Sequence, residues 1–219
     1  MTTVVSKETA TYFAYVAINK LISTICNTPE LSLSDIAKSI GYNKYNDIIN
    51  APLFVTWNIV DLKNDEHELR GCIGNFSNLK LPDYVKKYAL ISALEDSRFN
   101  PINKFELEKI ENNPKLDLQC CVTVLHSFED ITNNLMDWIV GKHGIKLSFK
   151  YHNRSYSSTF LPEVASEQGW NKKETLNALI RKAGIPGRVS FESVEVNYAE
   201  RYSGVKGIVT LSDFASIAS

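Results

Sequence analysis

Leu116, Leu118, Cys120, Val122 and Val124 alternate with Asp117, Gln119, Cys121 and Thr123. A period of two sustained over this length is the pattern of a strand with one apolar face. Such a strand is stable only beside other strands and under a covering layer, so this feature dictates a sheet. The rest of the chain supplies the partners. Phe54-Val55-Thr56-Trp57 is β-branched and aromatic, Lys63-Asn64-Asp65-Glu66-His67 is a charged turn, and the chain returns over residues 69–75 as the second arm of a hairpin. Ile145, Leu147, Phe149 and Tyr151 alternate again. His152-Asn153-Arg154 then predicts the turn of a second hairpin, returning through Tyr156 and Phe160, and Val194, Val196 and Tyr198 give a last strand.

Helical patterns supply the covering layer. Phe13, Ala17, Leu21 and Ile25 recur every four residues, widened by Ala14, Ile18 and Ile22, until Asn27-Thr28-Pro29 ends the stripe. Pro82 predicts the first position of a helix carrying Val85, Ala89 and Ala93, which runs out before Asn100-Pro101. Pro162 opens a short helix, and residues 172–183 form another, with Leu176, Leu179, Ile180 and Ala183, stopped by Gly184 and Pro186. Residues 34–41 read as a short capped helix ended by Gly41, inside a stretch, 31–50, read as an insertion or small-subdomain element. The fold class expected is α+β: a mainly antiparallel sheet flanked by helices. With no internal repeat and no long linker, the 219 residues read as a single domain.

Charge and motifs narrow the function classes. The net charge is −1, from 24 basic and 25 acidic residues, and no basic block exceeds two in a row, which speaks against a duplex-binding face. No run approaches the roughly 18 apolar residues of a membrane span. Met1-Thr2-Thr3-Val4-Val5-Ser6-Lys7 lacks the plan of a signal peptide, and the four cysteines form no Cys-x-x-Cys pair. Adjacent Cys120 and Cys121 point to opposite faces of their strand. The expectation is a soluble protein of the reducing cytoplasm or nucleus, with no membrane partner. Ligand spacings for a metal, glycine loops for a nucleotide and a Gly-x-Ser-x-Gly elbow are all missing, so neither metal nor cofactor is expected.

Chemistry concentrates in Leu69-Arg70-Gly71-Cys72-Ile73-Gly74. Gly71 and Gly74 permit close approach of a ligand or another backbone, Cys72 offers a thiol, and Arg70 a fixed charge. On simple alternation Arg70 and Cys72 share a face, where the guanidinium would favour a thiolate or grip an anion. The plainer reading is a strand with bulge glycines, a buried small residue and a surface arginine. His143, in Gly141-Lys142-His143-Gly144, has the most site-like setting of the four histidines and is the candidate base; the alternative is a turn histidine bonding its own backbone. Glu163, in the first turn of a helix, is a candidate proton carrier or a favourable charge on the helix dipole. Arg98 reads as the partner of Asp96 or as a second anion contact, and Gln168 as a wall of the same site.

The run Phe54-Val55-Thr56-Trp57, then Leu69-Arg70-Gly71-Cys72-Ile73-Gly74-Asn75-Phe76, resembles the AMMECR domain family. The likeness continues through Asp96-Ser97-Arg98-Phe99, Gly141-Lys142-His143-Gly144-Ile145, Thr159-Phe160-Leu161-Pro162-Glu163-Val164-Ala165, Glu167-Gln168-Gly169-Trp170 and Arg201-Tyr202, so that it covers roughly residues 10–203. The resemblance implies a mixed α+β fold of two unequal subdomains, with the arginine-glycine-cysteine segment at a cleft between them. It names no reaction. Two classes of function follow. In one, a small enzyme uses Cys72, with His143 or Glu163 moving protons, while Arg70, Gly71, Gly74, Arg98 and Gln168 hold a small anionic substrate. In the other, the same residues form a non-catalytic binding or adaptor module for a small ligand or a partner peptide.

Overall fold

The computed structural model describes residues 5–47, 49–185, 187 and 189–218. Among them are six strands and seven α-helices, and the chain divides into two compact units, one holding residues up to 124 and again from 205, the other residues 125–204. The α+β class is as expected from the sequence, and every strand pairing described is antiparallel.

In the first unit β1 (Ile49–Asp61) lies between β2 (Glu66–Leu81) and β3, the strand Leu116–Asp130 that continues into the other unit. Helix α1 (Lys7–Cys26) starts at Ser6, whose hydroxyl accepts from the Thr9 N–H, and ends at Asn27 in the left-handed region. Its Phe13, Ala17 and Leu21 are buried against α3 (Asp83–Leu94) and the sheet. Pro82 turns out to be the residue before α3 and not its first. Leu53, Val55 and Trp57 of β1 and Leu118, Cys120, Val122 and Val124 of β3 complete this core, each at most 1% exposed. The short helix read near Gly41 is α2 (Leu33–Ser39), capped by Ser32. Two further helices, α4 (Lys104–Glu111) and α7 (Leu211–Ala218), are additions to the sequence reading.

In the second unit β4 (Gly144–Tyr151) pairs with β5 (Arg154–Phe160) and with β6 (Glu195–Thr210), which continues into the first unit. His152 and Asn153 both adopt positive φ, 46° and 59°, as a two-residue hairpin turn requires. Helix α5 (Val164–Glu167) is a single turn, and α6 (Lys172–Lys182) is held at its start by a reciprocal capping box between Asn171 and Glu174. Leu176, Leu179 and Ile180 of α6 join Trp138, Leu147 and Phe149 in a separate core. Pro186, read as part of the stop after α6, lies outside the described residues. Among the described residues, no helix is long and apolar enough to cross a membrane.

Candidate functional site

In the first unit, the register sets one row of the sheet as Cys72, Thr56 and Cys121, side by side across β2, β1 and β3. These face away from the core, because the alternate residues Trp57, Gly71 and Cys120 pair on the other side, where Trp57 and Cys120 are wholly buried. Gly71 is required there: a Cβ would overlap the Ser92 carbonyl oxygen of α3. The Trp57 Nε1–H donates to Ser92 Oγ at 3.0 Å and fixes this close packing.

The backbone of Cys72 is held on both sides. Its N–H donates to Asp96 Oδ2 at 2.9 Å, and its carbonyl accepts from the Arg98 guanidinium at 3.0 Å. The same guanidinium grips Asp96 through Nε and Nη2, at 2.9 and 2.6 Å. The Asp96–Arg98 pair anticipated from the sequence is therefore present, and it takes the place that a neighbouring strand would occupy on the edge strand β2. Arg98 holds the Asp96 carboxyl well below the usual carboxylate range, against the opposing effect of its burial, and the Cys72 N–H adds to this. The Cys72 thiol is left on the sheet face, where the Thr56 hydroxyl donates to Sγ at 3.2 Å.

Arg70 does something other than face Cys72. Trp57 pairs with Gly71 and Asn58 with Leu69, so Arg70 is the extra residue of a bulge and the simple alternation fails there. Its guanidinium makes a bidentate pair with Glu106 of α4, at 2.6 and 2.7 Å, and donates to the Asn100 carbonyl at 3.0 Å. The hydrogen bonds it donates to Glu106 raise its pKa, against the opposing effect of burial. Gly74 faces Phe54, whose ring occupies the volume a Cβ would need, and Phe76 meets that ring edge-on at 5.3 Å.

The row beyond Thr56 is Asn58 and Gln119. Asn58 Nδ2 donates to Gln119 Oε1 at 3.3 Å, and the Cys121 thiol donates to the same oxygen at 3.3 Å. Leu69 of β2 lies opposite Asn58 in the same row, so the face opposite the core sets neutral polar side chains beside an exposed leucine along this stretch.

The remaining candidates belong to the second unit, and each is described there by itself. His143 Nδ1 accepts the Ile139 N–H at 3.1 Å while the His143 N–H donates to the Ile139 carbonyl at 2.9 Å: the ring closes its own turn. Burial lowers its pKa, helped by Arg201 and Lys142. Glu163 precedes the first residue of α5 without a side-chain cap bond, and its carbonyl accepts from the Ser166 hydroxyl at 2.7 Å. Gln168 is the exposed residue that ends the same helical turn. Among the described residues no cluster of three His, Cys, Asp or Glu side chains is placed to hold a metal ion.

The AMMECR1 family model matches residues 14–206, nearly the whole of both units. The chain belongs to the AMMECR1 family. An uncharacterised protein of Kluyveromyces lactis is similar to it at 36% identity over 225 residues, covering 95% of each chain. One from Saccharomyces cerevisiae is 36% identical and covers 92% of this chain and 86% of the relative, and one from Arabidopsis thaliana is 44% identical over 143 residues, 64% of this chain and 62% of the relative. The crystal structure of an uncharacterised protein from Pyrococcus horikoshii shares the fold, with a TM-score of 0.66 at 24% identity over 94% of this chain and 98% of the other.

Within this AMMECR1-family chain, sequence reasoning passed over Glu106, Thr56, Asn58 and Gln119. Only register could have found the last three: once the strands are aligned, Thr56 lies opposite Cys72 and Cys121, and Asn58 opposite Gln119 in the next row.

Proposed function

We propose that the polar sheet face carrying Cys72 is a binding site for a small ligand, and that the protein acts as a recognition module. The observation that carries this is the double hold on the Cys72 backbone: Asp96 and Arg98 spend their charges on its N–H, its carbonyl and each other. Arg70 is equally committed to Glu106 and Asn100. The cations therefore act as scaffold, and the thiol and its neutral neighbours are what the face offers to a ligand. The test is a fragment screen read by protein-observed NMR. Shifts gathered on the amides of Thr56, Cys72 and Cys121 support the reading; hits scattered elsewhere, or none, end it.

One observation favours the second reading, a cysteine nucleophile. The Thr56 hydroxyl donates to Cys72 Sγ, so the sulfur is held in place on the sheet face by a neighbouring side chain. In that case, Cys72→Ser keeps ligand affinity and loses turnover, whereas a pure binding site shows no turnover to lose.

A further inference from the structure

The stretch 31–50, read from the sequence as an insertion, packs beside α1 and leaves a cavity of about 580 Å³ between them. Small-molecule sites commonly enclose about 300–1,000 Å³. Helix α2 ends in a Schellman turn: the Gly41 N–H donates to the Lys38 carbonyl at 3.2 Å and the Tyr42 N–H to the Ala37 carbonyl at 2.8 Å, with Gly41 at a φ of 68°. Beyond the turn the Tyr42 ring stacks on Tyr12 of α1 at 4.6 Å, and its hydroxyl donates to Thr9 Oγ1 at 3.0 Å. One aromatic wall of the cavity is therefore fixed from behind. Thr11 and Tyr15, a turn apart on α1, and Ile40 supply half-buried walls, and Gly41 leaves its own side bare, since a Cβ there would meet nothing within 4 Å among the described residues. Lys7 and Lys44 stand at the rim, and neither makes an ion pair among the described residues. A hydrogen bond from Ser6 lowers the pKa of the Glu8 carboxyl, and the charges of Lys44 and Lys7 add to this, so both lysines reach the same end of the cavity. Two cations against this one acid leave the lining with a positive charge in excess; Asp47 and Asp213, which act on Tyr42 and Tyr15, lie outside it.

We infer that this cavity binds a small monoanion built on a flat aromatic ring, its anionic group at Lys7 and Lys44 and its ring against Tyr15 and Tyr42. The inference is independent of the Cys72 face, because every lining residue precedes β1. The ring follows from the tyrosine walls, which offer a flat ligand offset or edge-on contact over a large apolar area. The single charge follows from the lining: a neutral ligand leaves both ammonium groups to water, and a cation meets them with repulsion. The two ends are separate. Lys7 and Tyr15 lie eight residues apart on α1, about 12 Å along its axis, a gap that the flexible lysine stem shortens.

The probe is 2-naphthoate, compared with neutral 2-naphthamide and with cyclohexanecarboxylate, in calorimetric titrations of the full chain with protein-observed NMR to locate the site. 2-Naphthoate binds saturably and shifts the amides of Gly41, Tyr42 and Lys44, and each analogue binds about fivefold more weakly or worse. Added salt weakens the acid and leaves the amide unchanged. Lys7→Gln combined with Lys44→Gln removes the difference between acid and amide; both side chains are exposed, so the fold holds, and the wild-type comparison decides the matter without the variant. Equal binding of acid and amide by the wild-type protein overturns the inference. So does an absence of saturable binding, and so do shifts gathered on Thr56, Cys72 and Cys121 instead, a result that supports the sheet-face reading alone.

Discussion

The two units solve the same problem, polar groups on a sheet, in opposite ways. In the second unit several polar side chains close on their surroundings, although Arg201 Nε is buried without a partner among the described residues. Thr159 Oγ1 donates to the Ile145 carbonyl and meets the Tyr202 hydroxyl, which donates to the Phe160 carbonyl; Ser158 donates to the Leu179 carbonyl, and His143 ties its own turn. These bonds run mostly from side chain to backbone and bind β4, β5 and α6 together. In the first unit the ion pairs serve the backbone in the same way, but the face beyond them keeps unused donors and acceptors. The ligand face proposed above lies in the first unit, and His143 in the second closes its own turn.

The largest effect that would break or sharpen this contrast comes from the tight packing beneath the site. Gly71→Val drives a side chain into the Ser92 backbone and is expected to cost about 3 kcal/mol or more by urea denaturation. Next is the Arg70–Glu106 pair, 12% and 21% exposed at its side chains. Arg70→Ala strands Glu106 and is expected to cost about 3 kcal/mol, and adding Glu106→Ala recovers part of that loss, which a double-mutant cycle reads directly. If Arg70→Ala abolishes ligand binding with stability intact, Arg70 belongs to the site after all.

The Asp96 carboxyl gives a pH signature. Its folded pKa is depressed, so it contributes stability above its unfolded pKa of about 3.9, and that contribution is lost as pH falls toward its folded pKa. Urea midpoints at pH 5 and pH 3 should show a loss of about 1 kcal/mol in the wild type that Asp96→Asn lacks. The smallest effect is in the second unit. His143→Ala leaves the Ile139 N–H without its acceptor, costs about 1 kcal/mol, and leaves Cys72 alkylation unchanged.

What the sequence made legible follows from physics that is local. The stripe of α1, the alternation of β3 and the His152-Asn153 turn each write their conformation into neighbouring residues, and the structure has all three. Helix α4 could not be read that way, because only Leu107 and Ile110 of its eight residues are buried and no stripe forms. That omission hid Glu106, and with it the true partner of Arg70. The bulge had no local signature beyond an adjacent glycine, so the shared face of Arg70 and Cys72 was inferred from an alternation that the strand interrupts. The amide pair of Asn58 and Gln119 spans two strands far apart in sequence and becomes visible only with the register.

The most direct test is the alkylation rate of each cysteine in the folded protein, followed by peptide mass spectrometry. Cys120 is the internal reference: fully buried, with its thiol pushed well above the usual range by burial. Cys72 is expected to react in the native state at least about a hundredfold faster than Cys120, as a thiol presented on an accessible face. If Cys72 stays as inert as Cys120 until the protein unfolds, the face is closed packing and the ligand site proposed for it does not exist.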